Sequence, residues 1–390
     1  MPNASSLPPG FPTVGIVGAG QLARMTAPAA AALGVRLRVL AGSRDESAAQ
    51  VVPDAVIGAA DDLDALRRLA EGCDVVTFEH EHVRPEHLEA LLAEGVVVRP
   101  GPQALLHAQD KAVMRARLTE AGLPCPRWAV VSSADEVAGF ADGTWPVVLK
   151  AARGGYDGRG VWVVGSAAEA EPVLAELASR GVACLAEEKV EFVRELSAQV
   201  ARSPHGQAVA YPVVQTLQLG GICREVVAPA PGLVDDEAVA AQDVALRIAG
   251  LLDVVGMMAV ELFETADGRV LVNELAMRPH NSGHWTIEGA VTSQFEQHLR
   301  AVLDLPLGSP AALAPLAVMA NVLGGDHPDM YAPYRHVFAR DPGLRAHMYG
   351  KQVRPGRKIG HVTVVGDGPL EPLLDRARHA AGYFMGEILE

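Results

Sequence analysis

The chain has 390 residues, of which 49% are hydrophobic and 21% are charged, a balance typical of a folded protein with two or three domains. Its 33 lysines and arginines against 47 aspartates and glutamates give a net charge of −14, which disfavours a broad basic surface for nucleic acid or anionic lipid. An anionic ligand would therefore need a local cationic pocket.

The cysteines and apolar segments bear on where the protein works. The sequence contains four cysteines, Cys73, Cys125, Cys184 and Cys223. Because they form no C-x-x-C pair, we expect neither a zinc cage nor a disulfide framework, as is usual in a reducing cytoplasm. Residues 1–12 lack the pattern of a secretory signal, and the apolar stretch 311–325 is shorter than a membrane span of roughly 20 residues. We expect a cytoplasmic protein with no membrane partner.

The first third of the chain is predicted to alternate strands with helices. The predicted elements are a strand at Thr13–Val17, a helix at 22–33 and strands at 35–40 and 74–78. This alternation favours a parallel sheet that is covered on both faces.

Hairpins dominate the rest of the chain after a helix at 110–122. We predict strands at 147–150, Val161–Val164, 185–187, 195–201 and 208–214, a helix at 235–252, a hairpin within 257–275, a Pro-rich linker at 305–315 and a small β-rich tail. The change of pattern indicates a second structural class after the first domain.

A glycine turn at residues 18–23 (GAGQLA) fits the dinucleotide-binding pattern G-x-G-x-x-A between a strand and a helix. That pattern also needs an acidic residue at the end of the second strand, and none precedes Asp45. The turn is compatible with a nicotinamide cofactor, with another phosphate, or with simple packing of a Rossmann-like domain.

A cation and a glycine-rich loop follow each other in the second region. Lys150 ends an apolar strand and precedes residues 153–160 (RGGYDGRG), whose glycines allow backbone N–H groups to fold over phosphate oxygens. A strand follows the loop, so this is a flap between antiparallel strands and not a P-loop. The alternative is a long surface hairpin with a solvated lysine.

Two glutamates are predicted to face each other across the hairpin within 257–275. If Asp267 and Gly268 alone form the turn, Glu261 lies directly opposite Glu274, with Cβ atoms about 4.5–5.5 Å apart. Facing like charges are destabilising unless a cation lies between them, and hard oxygen ligands favour Mg²⁺. The alternative is a solvent-facing hairpin in another register.

A polar run, residues 278–286 (RPHNSGHWT), follows the second glutamate. Its guanidinium and imidazoles suit a small planar oxyanion, and Asn273 and Asn281 would add neutral oxygen ligands near the metal. A lone histidine would be structural, but this many polar groups beside a metal pair favour a functional loop.

Four segments together resemble a known enzyme family. They are residues 154–160 (GGYDGRG), 273–275 (NEL), 278–286 and 353–361 (VRPGRKIGH). The chain resembles the 5-(carboxyamino)imidazole ribonucleotide synthases, ATP-grasp ligases of purine biosynthesis, from about residue 14 to residue 361. The resemblance implies an α/β and α+β fold with a Rossmann-like preATP-grasp domain at 12–108, a two-lobed ATP-grasp domain at 109–307 with its flap near 153–161, and a small β-rich C-terminal domain at 308–390.

The same resemblance implies the reaction. ATP and bicarbonate would carboxylate the 5-amino group of 5-aminoimidazole ribonucleotide through carboxyphosphate, with ATP and Mg²⁺ as cofactors. The partners would be these small molecules and a second copy of the chain in a homodimer.

The resemblance also implies the site residues. ATP would be bound by Lys111, Lys150, the flap residues Gly155, Tyr156, Asp157, Gly158, Arg159, Gly160 and Val161, the hinge residues Glu187, Glu188, Lys189 and Val190, and Glu195, Gln218, Asn273 and Glu274. The metal ligands would be Glu261 and Glu274, and the catalytic residues Lys150, Arg278 and His280. The other substrates would meet Gly20, Gln21, Leu22, Glu79, Glu81, Tyr156, Asp157, Arg159, Asn281, Lys351, Arg354, Arg357 and Lys358.

Two departures from the family pattern and three alternatives accompany this assignment. Gln218 stands where many members have histidine, and Met277 stands where proline is usual. Another ATP-grasp carboxylate–amine ligase, such as a biotin-carboxylase-like or peptide-ligase-like enzyme, is disfavoured by the cations at 351–358. A nicotinamide-dependent oxidoreductase is disfavoured by the missing acid, and a catalytically silent nucleotide-binding regulator by the intact glutamate pair.

Overall fold

The computed structural model describes residues 10–155, 158–325 and 329–388. Tyr156 and Asp157, which were predicted to contact the substrates, lie outside the described residues.

The N-terminal region forms a parallel sheet with the strand order β3-β2-β1-β4. Its elements are β1 (Thr13–Val17), α1 (Gln21–Leu33), β2 (Arg36–Ala41), β3 (Ala55–Ile57), α2 (Leu63–Ala70), β4 (Val75–Phe78), α3 (Pro85–Ala93) and α4 (Pro102–Gln109). Alternate residues of β1 enter different cores, since Val14 and Ile16 pack with α1 whereas Val17 packs with α2. The predicted Rossmann-like arrangement is confirmed.

A small lobe follows, with an antiparallel sheet in the order β5-β8-β6-β7. Its elements are α5 (Lys111–Glu120), β5 (Trp128–Val131), α6 (Ala134–Ala141), β6 (Val147–Ala151), β7 (Val161–Val164), α7 (Ala167–Ser179) and β8 (Cys184–Glu188). The hydroxyls of Ser133 and Ser166 accept backbone N–H groups and so begin α6 and α7. The flap joins antiparallel strands β6 and β7, as the sequence predicts.

The larger lobe is built on a second sheet. Its elements are β9 (Phe192–Arg202), β10 (Ala208–Ala210), β11 (Val214–Leu219), β12 (Ile222–Ala228), α8 (Asp235–Leu251), β13 (Gly256–Thr265), β14 (Val270–Ala276), a 3-10 turn (Asn281–Gly283), α9 (Thr286–Gly289) and α10 (Gln294–Val302). The single strand predicted at 208–214 is wrong, because Pro212 cannot donate to a ladder and separates β10 from β11. Both pieces pair with β9.

The C-terminal segment extends the same sheet. Its elements are β15 (Leu316–Leu323), α11 (Pro333–Arg340), β16 (Arg345–Met348), β17 (Lys358–Gly366) and α12 (Leu370–Met385). The sheet runs in the order β14-β13-β9-β11-β12-β15-β17-β16, with β10 beside β9. Helix α12, which the sequence analysis did not predict, buries Leu373, Ala377 and Phe384 in a core with β15 and β17.

Within the described residues, no helix is both long enough and apolar enough to cross a membrane.

Candidate active site

One open cavity of about 1690 Å³ is lined by residues of the N-terminal region, both lobes and the C-terminal segment. The predicted site residues on its wall are Gln21, Leu22, Glu81, Lys111, Lys150, Gly155, Gly158, Arg159, Val161, Glu187, Glu188, Lys189, Val190, Glu195, Gln218, Glu261, Asn273, Glu274, Arg278, His280, Asn281, Lys351, Arg354, Arg357 and Lys358. Among the described residues, the predicted positions Gly20, Glu79 and Gly160 lie off this wall. Residues that are far apart in the sequence therefore share one space.

The facing glutamates are present, but the register that places them differs from the predicted one. Glu264 pairs with Val270 near the turn, one residue out of the expected register, so the two-residue turn is wrong. An irregularity farther along makes Asn273 an extra residue on β14 and brings Glu261 opposite Glu274. A one-residue slip exchanges the faces of a strand, so the carboxylate pair depends on this bulge.

The charges around the pair are unequal. Burial, with Glu274 opposite, raises the pKa of Glu261 to about 7, whereas Lys111 Nζ lies 2.8 Å from Glu274 Oε1 and compensates that carboxylate. In the described ranges, no group of three or more His, Cys, Asp or Glu could hold a metal ion. A cation at this pair would therefore need further oxygens from substrate or water.

Lys150 lies in a buried ion pair at the end of β6. The lysine is 7% exposed, and its Nζ lies 2.6 Å from Glu187 Oε2 and 3.0 Å from Asn273 Oδ1. Burial lowers the pKa of Lys150, and the Glu187 carboxylate opposes that shift. Burial alone would raise the pKa of Glu187, but its cationic neighbours outweigh this effect and hold that pKa below its ordinary value. The ammonium is fixed before any phosphate arrives.

Arg115 is a site residue that the sequence analysis missed. It is fully buried on α5, where Nε donates to Glu187 Oε1 at 2.7 Å and Nη2 donates to the Asn273 carbonyl at 2.9 Å. The guanidinium therefore ties β8 to β14. A signal existed, because Arg115 lies one helical turn after Lys111 and so shares its face.

The flap touches the β11–β12 turn across the cavity mouth. Gly158 has φ +76°, and a Cβ there would lie 3.1 Å from the Cα of Gly221. A side chain at this position would be strained and would also push the flap away from that turn. Gly154 has a similar φ of +78° but faces open space.

The far wall of the cavity is partly apolar. Phe192 and Phe263 stack with ring centroids 4.7 Å apart, and both line the cavity together with Val148. Burial raises the pKa of Glu195 to about 7, and a hydrogen bond from the Gln218 backbone N–H opposes that shift. The backbone of Gln218 thus contacts Glu195, and contact of the Gln218 side chain with the nucleotide stays a prediction.

The polar loop after β14 brings a cation and an imidazole to the carboxylate pair. Arg278 Nε donates to Glu81 Oε2 at 3.0 Å, which joins the loop to the N-terminal region. The N–H of Ser282 points at His280 Nδ1, so the hydrogen-bond network places the proton on Nε2, 3.6 Å from Glu261 Oε1. Burial, with Arg278 nearby, lowers the pKa of His280 to about 3, and the ring is neutral at pH 7.

The N-terminal glycine turn binds a carboxylate of the same chain, that of Glu79. The N–H groups of Gly20 and Ala23 donate to Glu79, the latter at 3.2 Å. A Cβ on Gly18 or Gly20 would lie 2.5 or 2.6 Å from the Glu79 side chain. Glu79 therefore occupies the helix N-terminus where a dinucleotide phosphate would bind.

The C-terminal cations lie on an irregular segment between β16 and β17. Lys351 Nζ donates to Gln21 Oε1. Arg354 donates to the Gln352 side chain at 3.0 Å, and Arg357 donates to its carbonyl at 3.3 Å. Because the partners of Arg354 and Arg357 named here are neutral amide groups, they do not cancel the positive charge of these two guanidiniums.

Two lobes, a hairpin flap beside a buried lysine and a facing carboxylate pair define an ATP-grasp enzyme. The ATP-grasp domain family matches residues 116–295, the ribonucleotide synthetase preATP-grasp domain matches 11–109, and the phosphoribosylaminoimidazole carboxylase C-terminal domain matches 317–371.

Relatives identify the particular family. The chain is 58% identical over 374 residues to the N5-carboxyaminoimidazole ribonucleotide synthase of Mycobacterium tuberculosis, covering 95% of this chain and 87% of the relative. It is 49% identical over 372 residues to that of Corynebacterium ammoniagenes, covering 94% and 90%. The chain belongs to the N5-carboxyaminoimidazole ribonucleotide synthase family of ATP-grasp ligases, which confirms the predicted resemblance.

Solved structures agree with this assignment. The Aspergillus clavatus N5-carboxyaminoimidazole synthase, in complex with ADP and 5-aminoimidazole ribonucleotide, superposes with a TM-score of 0.87 at 32% identity, covering 97% of this chain and 99% of that one. The Thermus thermophilus synthetase superposes with a TM-score of 0.84 at 37% identity, with the same coverage.

Proposed function

We propose that the cavity carboxylates 5-aminoimidazole ribonucleotide in two steps. A bicarbonate oxygen attacks the γ-phosphorus of ATP, the bond to the β,γ-bridging oxygen breaks, and ADP leaves as carboxyphosphate forms. The 5-amino nitrogen then bonds to the carboxyl carbon, phosphate leaves and the amine gives up a proton. The observation that carries this proposal is the single wall shared by the flap, the carboxylate pair, the polar loop and the C-terminal cations.

The nucleotide would bind between the lobes. Lys150 is already fixed by Glu187 at 2.6 Å, so its charge would meet the transferred phosphate oxygens without a large rearrangement. The backbone of residues 187–190 would contact adenine beside Phe192 and Phe263, and Glu195 would take the ribose hydroxyls. The flap would exclude water, which would otherwise hydrolyse carboxyphosphate.

The carboxylate pair fits Mg²⁺. The donors are hard oxygens. Burial, followed by the facing Glu274 carboxylate, raises the pKa of Glu261, and a divalent cation would relieve the repulsion between the two carboxylates. Glu261 and Glu274 would hold the ion, which would neutralise charge on the phosphate oxygens. Lys111, now 2.8 Å from Glu274, is placed to share that task.

The polar loop would receive bicarbonate. Arg278 supplies positive charge, and the neutral His280 carries a donor at Nε2 near Glu261. A cation with a neutral donor suits a planar oxyanion. Asn281, which lies on the cavity wall beside His280, would also face bicarbonate.

The ribonucleotide would bind between the N-terminal region and the C-terminal segment. Lys351, Arg354 and Arg357 would bind its phosphate, because all three line the cavity and the hydrogen-bond partners of Arg354 and Arg357 named above are neutral. Glu81 and Arg159 line the same cavity and would face the imidazole and ribose.

The nicotinamide alternative is disfavoured by the position of Glu79 at the first helix. Its carboxylate accepts the N–H groups of Gly20 and Ala23, which a dinucleotide phosphate would require. Absence of any spectral change with NADH would test this point directly.

A homodimer and a cytoplasmic location also belong to the proposal. The dimer rests on the resemblance to the family and is tested by light scattering of the purified protein. The location is supported by the cysteine pattern, four widely spaced residues with no C-x-x-C pair.

The decisive experiment measures ADP release at fixed bicarbonate with and without 5-aminoimidazole ribonucleotide. We expect release that depends on the ribonucleotide and matches its consumption. ADP release that is indifferent to the ribonucleotide, or that requires another amine, would contradict the proposed function and favour a different ATP-grasp ligase.

A further inference from the structure

A row of buried polar side chains crosses the C-terminal part of the large sheet. Asn321 on β15 pairs with His361 on β17, which pairs with His347 on β16. Residues directly opposite in antiparallel strands share one face, so these three side chains lie side by side. Asn321 and His361 are 2% and 0% exposed. We call Asn321, His361 and His347 the polar row.

The segment after the polar loop carries a matching set. Asn281, His284 and Glu288 are spaced by three and four residues along the 3-10 turn and α9, a spacing that places side chains on one helical face. The matching set therefore presents one side to the sheet.

Each member of the matching set contacts one member of the polar row. The amides of Asn281 and Asn321 exchange two hydrogen bonds of 3.0 and 2.8 Å. The ring centroids of His284 and His361 lie 4.9 Å apart, and His347 Nε2 lies 2.7 Å from Glu288 Oε1. These three contacts hold the 3-10 turn and α9 against the sheet.

The row connects two parts of the proposed site. Asn281 directly follows His280, so the amide pair holds the bicarbonate-facing residues. On the other side, His361 Nδ1 lies 2.8 Å from the Tyr349 hydroxyl, and the Lys351 ammonium lies 5.7 Å from the centroid of the Tyr349 ring. His361 therefore contacts the segment that follows the polar loop, through His284, and the segment that carries Lys351, through Tyr349.

The buried imidazoles act through shape and not through charge. Burial lowers the pKa of His284 and His361 well below the usual value. Their Nε2 atoms have no hydrogen-bond partner in the described part of the chain. Burying such polar groups has a free-energy cost, which a purely apolar contact would avoid.

We propose that Asn321 and His361 are positioning residues that hold the polar loop at a fixed spacing from the C-terminal cations. This inference rests on the proposed function, because the spacing matters if carboxyphosphate and the ribonucleotide amine must meet. A misplacement of about 1 Å in such a reaction costs on the order of 100-fold in rate. Asn321 and His361 line neither substrate subsite, so they act through Asn281 and Tyr349.

The first test is kinetic and uses Asn321→Leu, which keeps the number and branching of the side-chain heavy atoms. It removes the amide pair and the 2.9 Å hydrogen bond to the Cys223 carbonyl. We expect KM for bicarbonate to rise by about tenfold or more while KM for ATP stays within about twofold. The matched control is Thr363→Val, two residues from His361 on the same face of β17, and it should match the wild type. Equal increases in both KM values, or none, would overturn the proposal.

A double-mutant cycle asks whether Asn321 acts through Asn281. If it does, Asn281→Leu and Asn321→Leu together will be no worse than Asn281→Leu alone. Fully additive losses would show that Asn321 acts by another route and would also overturn the proposal.

Hydrogen exchange separates this proposal from the proposed function. The amides of Gly283, His284 and Ile287 form hydrogen bonds within the turn and α9, so a loosened loop exchanges faster. We expect faster exchange there in Asn321→Leu and unchanged exchange in β9. If the wild type shows no ribonucleotide-dependent turnover, the proposed function fails. The role of the polar row is judged separately, because unchanged exchange of the loop amides in Asn321→Leu would refute that role whatever the turnover.

Discussion

The two ends of the cavity handle charge in different ways. At the nucleotide end, Arg115, Lys150 and Glu187 form a buried cluster whose charges compensate one another at 2.6 and 2.7 Å. At the other end, Arg354 and Arg357 are exposed and bond to neutral groups of Gln352. We call Arg115, Lys150 and Glu187 the transfer cluster. Arg354 and Arg357 belong to the C-terminal cations described above.

The difference indicates a division of labour. A preorganised cluster stabilises a transition state because little reorganisation is needed during reaction. Exposed cations gain their partner only when an anion arrives, so they contribute mainly to binding. Damage to the nucleotide end should therefore lower kcat, and damage to the C-terminal cations should raise KM for one substrate.

The largest loss should follow Glu274→Gln. The change removes one of the two facing charges and the partner of Lys111 at 2.8 Å, so Mg²⁺ binding weakens and turnover is abolished. The fold should persist, because like-charge repulsion with Glu261 falls. The measurement is Mg²⁺-dependent ADP release beside a thermal unfolding curve.

The control for that variant is Asp267→Asn on the exposed turn of the same hairpin. It should leave turnover unchanged. Normal Mg²⁺-dependent activity in Glu274→Gln would contradict the metal assignment.

Lys150→Arg tests the transfer cluster itself. Arginine is larger and planar, so it cannot keep both the 2.6 Å contact with Glu187 and the 3.0 Å contact with Asn273. We expect kcat to fall by about 100-fold, on the order of 2.7 kcal/mol, with some ATP binding retained. Arg180→Lys, the reverse exchange at the exposed end of α7, is the control and should leave kcat unchanged. A wild-type kcat for Lys150→Arg would refute the positioning argument.

The same contrast explains what the sequence could predict. The glutamate pair, the flap and the C-terminal cations stand out because each lies within one short segment with a local pattern. The bulge at Asn273 could not be predicted, since it depends on the pairing of β13 with two neighbours. The helical spacing from Lys111 marks Arg115, whereas His361 gains its role only from strands distant in sequence, and no local period encodes that proximity.

The glycine turn teaches the same lesson. Its pattern predicts a close approach of an anion to backbone N–H groups, and such an approach exists. The anion is Glu79, however, and its identity follows from the parallel pairing of β1 with β4.

Arg357→Ala tests the opposite end. Loss of one exposed cation should raise KM for the ribonucleotide by about tenfold, or about 1.4 kcal/mol, while KM for ATP barely changes. Arg345→Ala, an exposed arginine at the start of β16, should alter neither constant. Equal damage to both substrates in Arg357→Ala would indicate a structural role for this segment.

Gly158→Val tests the flap that joins β6 to β7. Its matched control is Gly154→Val, because both glycines have φ near +77° but only Gly158 approaches Gly221, at 3.1 Å from a Cβ. We expect Gly158→Val to hinder closure, so that carboxyphosphate meets water and more ADP forms per ribonucleotide consumed. The control should keep that ratio closer to one. Equal ratios in the two variants would show that contact with Gly221 does not close the site.

The smallest effect should come from a buried histidine outside both ends of the cavity. His298 on α10 lies 2.8 Å from Thr77 Oγ1 and accepts the Met257 N–H at 3.0 Å, and burial lowers its pKa to about 4. An unfolded histidine has a pKa of about 6.5, so between these values the unfolded chain binds a proton that the folded chain does not. The stabilisation is complete above about pH 6.5 and is lost as the pH falls toward 4, by about 1.4 kcal/mol per pH unit for one proton.

His298→Gln should reduce the pH dependence of the urea midpoint between pH 4.5 and 6 by about one proton, whereas His205→Gln, at an exposed position, should not. Both variants should keep wild-type KM values at pH 8, since neither histidine lines the cavity, and an unchanged slope in His298→Gln would show that this imidazole is charged in the folded state.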